Sequence, residues 1–239
     1  KYLGEHYRFN THIGYTGQID YDGTLKGDLI IKAGGDPTLG SDKIEGAIAF
    51  ELLLSEITTQ ILAKGINCIE GSIIVDESVF DSYPVSPSWQ WNDLGNYYAS
   101  GGWGLNIAEN QYYIRFKGRN HLGHQAVIHQ VYPHVPGLKL SNEVIIDSAH
   151  TGDNAYIFGG PFNLNKRVVG TIPKGEGLFT IKGSIPDPPA FFLFHLRAKL
   201  ISANISVNKT ITVYQADKRK TSAIMSVRSP HLSNIIQKA

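Results

Sequence analysis

Two helix-to-strand segments constrain this chain more than any other feature. "LAKGINCIEGSIIV" (62–75) and "LISANISVNKTITV" (200–213) each run from a helix end into a strand, with Leu62/Leu200, Ile73/Ile211 and Val75/Val213 in register. Between them, from about 110 to 182, lie short strand patterns such as "YYIRF" and "AVIHQVY", separated by Pro, Gly and Asn, which predict an antiparallel β-rich insertion. A helix–strand pair on each side of an insertion lets two distant stretches close one sheet-and-helix layer. Residues near 25–80 and 183–213 are therefore expected to share a domain, although the echo is too faint to establish a repeat.

Local signals fill in this frame. "GQIDYDGTLKGDLIIKAGG" reads as a glycine-punctuated hairpin or meander with "LIIKA" its most apolar strand. In "SDKIEGAIAFELLLSEITTQILAKGI", Ile44, Ala47, Ile48, Phe50, Leu54, Ile57 and Ile61 keep mostly three- and four-residue spacings, which predicts a helix. Asp42 with Glu45 resembles a capping box at its start, and Gly65 suits its left-handed stop. "GSIIV" follows as a strand. After "PDPP" the chain returns to a helix, "AFFLFHLRAKLISA", and to strands "ISV" and "TITVY".

Composition excludes several function classes. With 239 residues, 42% hydrophobic and 18% charged, the chain is long enough for one large core or two smaller ones. A net charge of +1 selects for neither nucleic acid nor an anionic membrane. Cys68 is the only cysteine, so no intramolecular disulfide forms. No apolar run approaches a membrane span, and no signal-peptide pattern opens the chain. "KYLGEHYRF" and "LSNIIQKA" read as the cut ends of something longer.

Serine catalysis with a lysine base often shows as Ser-x-x-Lys on one helical face. The tetrad Ser206-Val-Asn-Lys209 lies in a strand-like run, where side chains three apart point to opposite faces. Ser202-Ala-Asn204 imitates a Ser-x-Asn motif at a helix end, where Asn is a common left-handed stop. His150-Thr-Gly152 imitates a third motif within a turn. The order is also wrong, and no catalytic residue is expected in this chain. His121, His124, His129 and His134 invite a metal, but no third ligand converges by spacing and a surface hairpin explains them. Neither a metal nor a cofactor is expected. Gly-Glu-Gly at 175–177 lacks the strand-to-helix context of a phosphate loop, and "DKRK" at 217–220 reads as a solvated turn.

All three tryptophans fall in "PSWQWNDLGNYYASGGWG" (87–104). If that segment is locally extended, Trp89, Trp91 and Asp93 share a side: two flat apolar walls ending in a carboxylate, with Tyr97 and Tyr98 a turn later. Such a surface suits a ligand with an aliphatic stem and a cationic head. Because large aromatics usually pack, the pattern alone favours a loop pinned to the core by its aromatics.

"LGEHYRFNT", "GTLKGDLIIKAGGDPTL", "GINCIEGSIIVDESVFD", "WQWNDLGNYYASGGWGLNIAEN", "VVGTIP" and "SPHLSNII" occur here in an order that resembles the class C low-molecular-mass penicillin-binding proteins. These form the D-alanyl-D-alanine carboxypeptidase/endopeptidase family of bacterial envelopes. The resemblance implies a β-lactamase-type catalytic domain interrupted by one inserted domain nested within another. It also implies a Ser-x-x-Lys nucleophile that β-lactams acylate, preceding "LG..YRF", and a Ser-x-Asn following "SP.L..I". This chain holds neither of those motifs in place, so it resembles the inserted region with short stubs of the catalytic domain.

The resemblance further implies that Trp89, Trp91, Asp93 and one of Tyr97 or Tyr98 help to hold the diamino-acid side chain of a peptidoglycan stem peptide. The contacting position is Asn92 or Asp93, and charge favours Asp93. The expected fold is α+β: stubs at 1–20 and 212–239, an inserted mixed helix–sheet domain at 21–110 and 183–211, and a nested β-rich domain at 111–182. Leu232, Ile235 and Ile236 should be exposed where the missing domain would cover them. Partners would be the stem peptide and, for the full-length protein, β-lactams, in a bacterial periplasm or envelope. The alternative is a non-catalytic envelope module whose aromatics stack on glycan.

Overall fold

In the computed structural model, which describes residues 3–214 and 216–238, thirteen strands and three α-helices succeed one another. The strands β1 (Asn10–Tyr15), β2 (Gln18–Ile19), β3 (Thr24–Lys26) and β4 (Leu29–Lys32) come first, then helix α1 (Phe50–Ala63) and strand β5 (Cys68–Asp76). Six strands follow: β6 (Gln111–Lys117), β7 (Val127–Tyr132), β8 (Lys139–Asp147), β9 (Asn154–Phe158), β10 (Asn165–Pro173) and β11 (Phe179–Ser184). The chain closes with α2 (Pro188–Ser202), β12 (Ser206–Val213), β13 (Ser222–Arg228) and α3 (Leu232–Ile236). It divides into two units, one formed by 1–83, 102–109 and 188–239, the other by 84–101 and 110–187.

The first unit is built on a seven-stranded sheet of order β13-β1-β4-β5-β3-β2, with β12 on the other edge of β5. β3, β4 and β12 all run parallel to β5. Parallel strands need both faces covered, and Leu29, Ile30, Ile31, Ile73, Ile74 and Val75 are accordingly buried in unbroken runs. α1 turns Leu53, Leu54, Ile57 and Ile61 inward at helical spacing, while α2 buries Phe191, Phe192, Leu193, Leu196 and Leu200. Phe50 stacks on Phe191 between the helices, centroids 5.4 Å apart. Each fully buried side chain of this kind stabilises by about 1.5–3 kcal/mol.

The two echoing segments are neighbours: Ile73 faces Thr210, and Ile74 faces Ile211, one residue off the register that their sequences align. β1 and β13, the strands of the expected stubs, pair with each other, and β1 pairs with β4 in this same sheet. Helix α1 starts at Phe50 rather than near Asp42, and no capping box forms. Gly46 at φ +81° breaks any helix there, and the Ser41 hydroxyl takes the Lys43 N–H in a turn instead. Gly65, at φ +78°, ends α1 as expected, and Asn204 follows α2 at φ +61°. In α3 Ile236 is 65% exposed, whereas Leu232 and Ile235 are half-buried.

The second unit contains two three-stranded sheets, β8-β10-β9 and β11-β6-β7. The insertion is not wholly antiparallel: β8 and β10 pair in parallel from Lys139↔Asn165 to Asp147↔Pro173. β9 makes this possible by lying antiparallel on the far edge of β10, so that it serves as the crossover that parallel neighbours require. β6 alternates strictly, burying Tyr112, Ile114 and Phe116. The tryptophan segment 84–101, grouped on the sequence with 21–110, clusters with this unit.

Candidate functional site

The segment around the first two tryptophans is not extended. Successive i→i+3 turns run from Ser86 to Ala99, with Trp89, Asp93, Asn96 and Ala99 N–H groups donating to the carbonyls of Ser86, Gln90, Asp93 and Asn96 at 2.9–3.0 Å. The shared side deduced from sequence parity is therefore absent, because parity orders side chains only along a strand.

Asn96 fixes these turns within the second unit. Its Oδ1 accepts the Ile157 N–H at 3.0 Å, and its Nδ2 donates to the carbonyls of Asn92 and Asp93 at 3.0 and 3.2 Å. Leu94 and Gly95 carbonyls accept from the hydroxyl and N–H of Ser184 at 3.1 and 3.0 Å. Gly95 is required at its position, since a Cβ would lie 1.8 Å from the Ile157 carbonyl oxygen.

What this scaffold presents is a set of exposed rings. Trp91, 67% exposed, lies against Phe158 with centroids 5.0 Å apart and planes tilted by 34°. Tyr97 and Tyr98, 42% and 54% exposed, meet edge to face at 5.3 Å. The Tyr98 hydroxyl donates to Asp93 Oδ1 at 3.3 Å, and Asp93 is half-buried. Burial first, then the neighbouring Asp93 charge, pushes the Tyr98 phenol up. Trp89 is 42% exposed. Asp93, Tyr97 and Tyr98 are thus brought together, while Trp91 opens onto a cavity lined by Phe158, Gly159, Asn163, Asn165 and Arg167. Trp103 is not among them: it is buried in the first unit.

Several residues around this surface escape the sequence reading. Lys182 of β11 places its ammonium 5.0 Å from the Tyr97 ring centroid, a cation–π contact. Tyr156 and Phe158 share one face of β9, and their even spacing in "NAYIF" was the available signal. Beside Gly159 lies Lys166, fully buried, its ammonium donating to the carbonyls of Gly159 and, at 2.9 Å, Gly160. Burial pushes this amine down to about 8.

The catalytic look-alikes stay apart. Lys209 has the parity of buried Val207 on β12, Ser206 the opposite one, and no hydrogen bond joins them. His150 and Gly152 occupy a left-handed turn. His121 and His124 rings lie 5.3 Å apart, and among the described residues no three potential ligands gather for a metal. Among those residues, too, no helix is long and apolar enough to cross a membrane.

The chain resembles known proteins in sequence and in fold. Residues 1–239 match the model of the D-Ala-D-Ala carboxypeptidase 3 (S13) family. The chain is 31% identical over 121 residues to the D-alanyl-D-alanine carboxypeptidase DacB of Haemophilus influenzae, covering 51% of this chain and 23% of that protein. It superimposes on the crystal structure of penicillin-binding protein 4 (dacB) from Haemophilus influenzae with a TM-score of 0.77 at 22% identity, over 99% of this chain and 49% of that one. The same protein complexed with a β-lactam gives 0.70 at 18% identity, over 99% and 47%. The chain thus spans about half the length of the solved chains and about a quarter of the curated relative. With mixed α+β architecture, the same fold as penicillin-binding protein 4 and a family match along every residue, the chain belongs to the D-Ala-D-Ala carboxypeptidase 3 (S13) family.

Proposed function

We propose that the full-length protein is a serine-type D-alanyl-D-alanine carboxypeptidase/endopeptidase acting on peptidoglycan stem peptides in a bacterial periplasm or envelope. This chain is its substrate-recognition portion, and the nucleophile resides in parts of the protein beyond these residues. The family match along residues 1–239 carries the reading. It also favours the peptidase over a free-standing glycan-binding module.

Within this portion, Asp93 pairs with the ammonium of the diamino-acid side chain, and Tyr97 and Tyr98 flank its methylenes. Trp89 and Trp91, exposed on the same run of turns, offer further apolar surface to the same peptide. The grouping of Asp93 with the two tyrosines supports these roles: one acid beside exposed phenol faces binds a cation through charge pairing and cation–π attraction together. Lys182 already occupies one Tyr97 face, which leaves Tyr98 and Asp93 as the better partners for an incoming ammonium.

Labelling with a fluorescent penicillin tests the assignment. Covalent label is expected on the full-length protein and none on the 239-residue chain. An unlabelled full-length protein contradicts the peptidase, and a labelled chain contradicts the location of the nucleophile.

A further inference from the structure

The exposed rings meet two different chemistries. Around Asp93 the polar groups are an acid, phenols and the Lys182 ammonium over Tyr97. At the other end Trp91 and Phe158 form an aromatic corner of a cavity of about 300 Å³, whose remaining walls are Gly159, Asn163, Asn165 and Arg167. That volume is at the small end for ligand sites and suits a single ring.

The walls limit what that ring can be. Arg167 is already neutralised, its Nε and Nη2 donating to the Glu143 carboxylate at 2.7 Å each, so a charged ligand gains little here. The other polar groups are carboxamides. Asn163 Oδ1 accepts the Asn165 N–H at 2.9 Å, which leaves Asn163 Nδ2 as a donor beside Gly159, 3.4 Å from where a Cβ of that glycine would stand. Gly159 has no side chain to fill the floor, and buried Lys166 holds its carbonyl.

An aromatic face beside carboxamides is the surface a pyranose needs. Its axial C–H bonds lie on the ring face by dispersion and weak hydrogen bonding, while its edge groups pair with amide donors and acceptors. An extended peptide is disfavoured by the same contacts, because the outer edge of β9 beside the cavity is occupied. Asn96 takes the Ile157 N–H there, and Gly95 packs against the Ile157 carbonyl, so no ladder remains for strand addition.

We infer that this cavity is a saccharide subsite that takes an N-acetylated hexosamine, its ring on Trp91 and Phe158 and its acetamido carbonyl accepting from Asn163 Nδ2. The subsite shares Trp91 with the proposed peptide surface, but its binding does not depend on the peptidase reading.

Titration of the 239-residue chain with tri-N-acetylchitotriose, followed by ¹H–¹⁵N spectra, tests it. The Trp91 indole N–H, assigned with Trp91→Phe, is expected to shift saturably in the millimolar range or below. Phe158→Ala and Asn163→Asp should each weaken binding about fivefold or more, and Asp93→Asn by less than about twofold. Asn163→Asp keeps the acceptor that holds the Asn165 turn, so its effect separates a lost donor from a lost fold. Maltotriose, which has no acetamido group, should bind about fivefold more weakly. Absence of saturable shifts, unchanged affinity in Asn163→Asp, shifts confined to residues around Asp93, or equal binding of maltotriose each overturns the subsite. Penicillin labelling of the full-length protein reads the peptidase assignment separately.

Discussion

The stretches 84–101 and 102–109 are consecutive in sequence and opposite in character. In the second, Trp103 is 3% exposed, and the Gly104 and Leu105 N–H groups donate to the Glu77 carboxylate at 3.0 and 2.6 Å. Asn106 closes a loop on Trp103, accepting its N–H at 3.1 Å and donating to its carbonyl at 2.9 Å. With its backbone satisfied in this way, the segment sinks its indole into the core of the first unit. In the first stretch the same kinds of bonds, centred on Asn96, hold the backbone in turns that leave Trp89 and Trp91 facing solvent. A tryptophan-rich block is thus not one object. The polar side chain that anchors each piece decides whether its rings stabilise or are presented.

Substitutions separate the two halves. Trp103→Ala is expected to have the largest effect, about 3–5 kcal/mol lost from the first unit, because it empties a filled core position. Hydrogen exchange, which reports each unit by its own amides, checks this better than one unfolding curve for a chain of two units. Gly95→Ala comes next, with about 1–3 kcal/mol lost from the second unit as the new methyl is driven against the Ile157 carbonyl.

The second unit also has a pH signature. Lys166 sits at about 8 when folded against an ordinary value of 10.5, so between these pH values the unfolded chain binds more protons. Stability of that unit should therefore rise with pH through this window, by at most about 1.4 kcal/mol per pH unit from this group, with no change below it. Lys166→Met should flatten the rise, measured as the pH dependence of urea midpoints. Trp91→Ala should have the smallest effect on stability, within about 0.5 kcal/mol. A loss comparable to that of Trp103→Ala would erase the distinction between the two stretches.

The sequence made the periodic elements legible and the long-range ones obscure. α2, β5 and the left-handed stops at Gly65 and Asn204 follow from local spacing and from residues that tolerate positive φ. The false start of α1 came from apolar spacing that continues through Gly46 although the backbone does not. The parallel pairing of β8 with β10 depends on where β9 lies, which no window along the chain contains. Asp93, Tyr97 and Tyr98 were legible as a group because they are close in sequence. The separate surroundings of Trp91 were not, since Phe158 and Arg167 reach it only through the fold.

The most direct test of the account is Asp93→Asn in the full-length protein, comparing substrates whose stem peptide carries a diamino acid with those carrying a neutral residue of similar length. The account predicts that kcat/KM for the diamino substrate falls about tenfold or more while that for the neutral one changes by less than about twofold, as loss of a charge-assisted contact requires. Equal values for the variant and the natural protein on the diamino substrate would contradict the assignment of this surface to side-chain recognition.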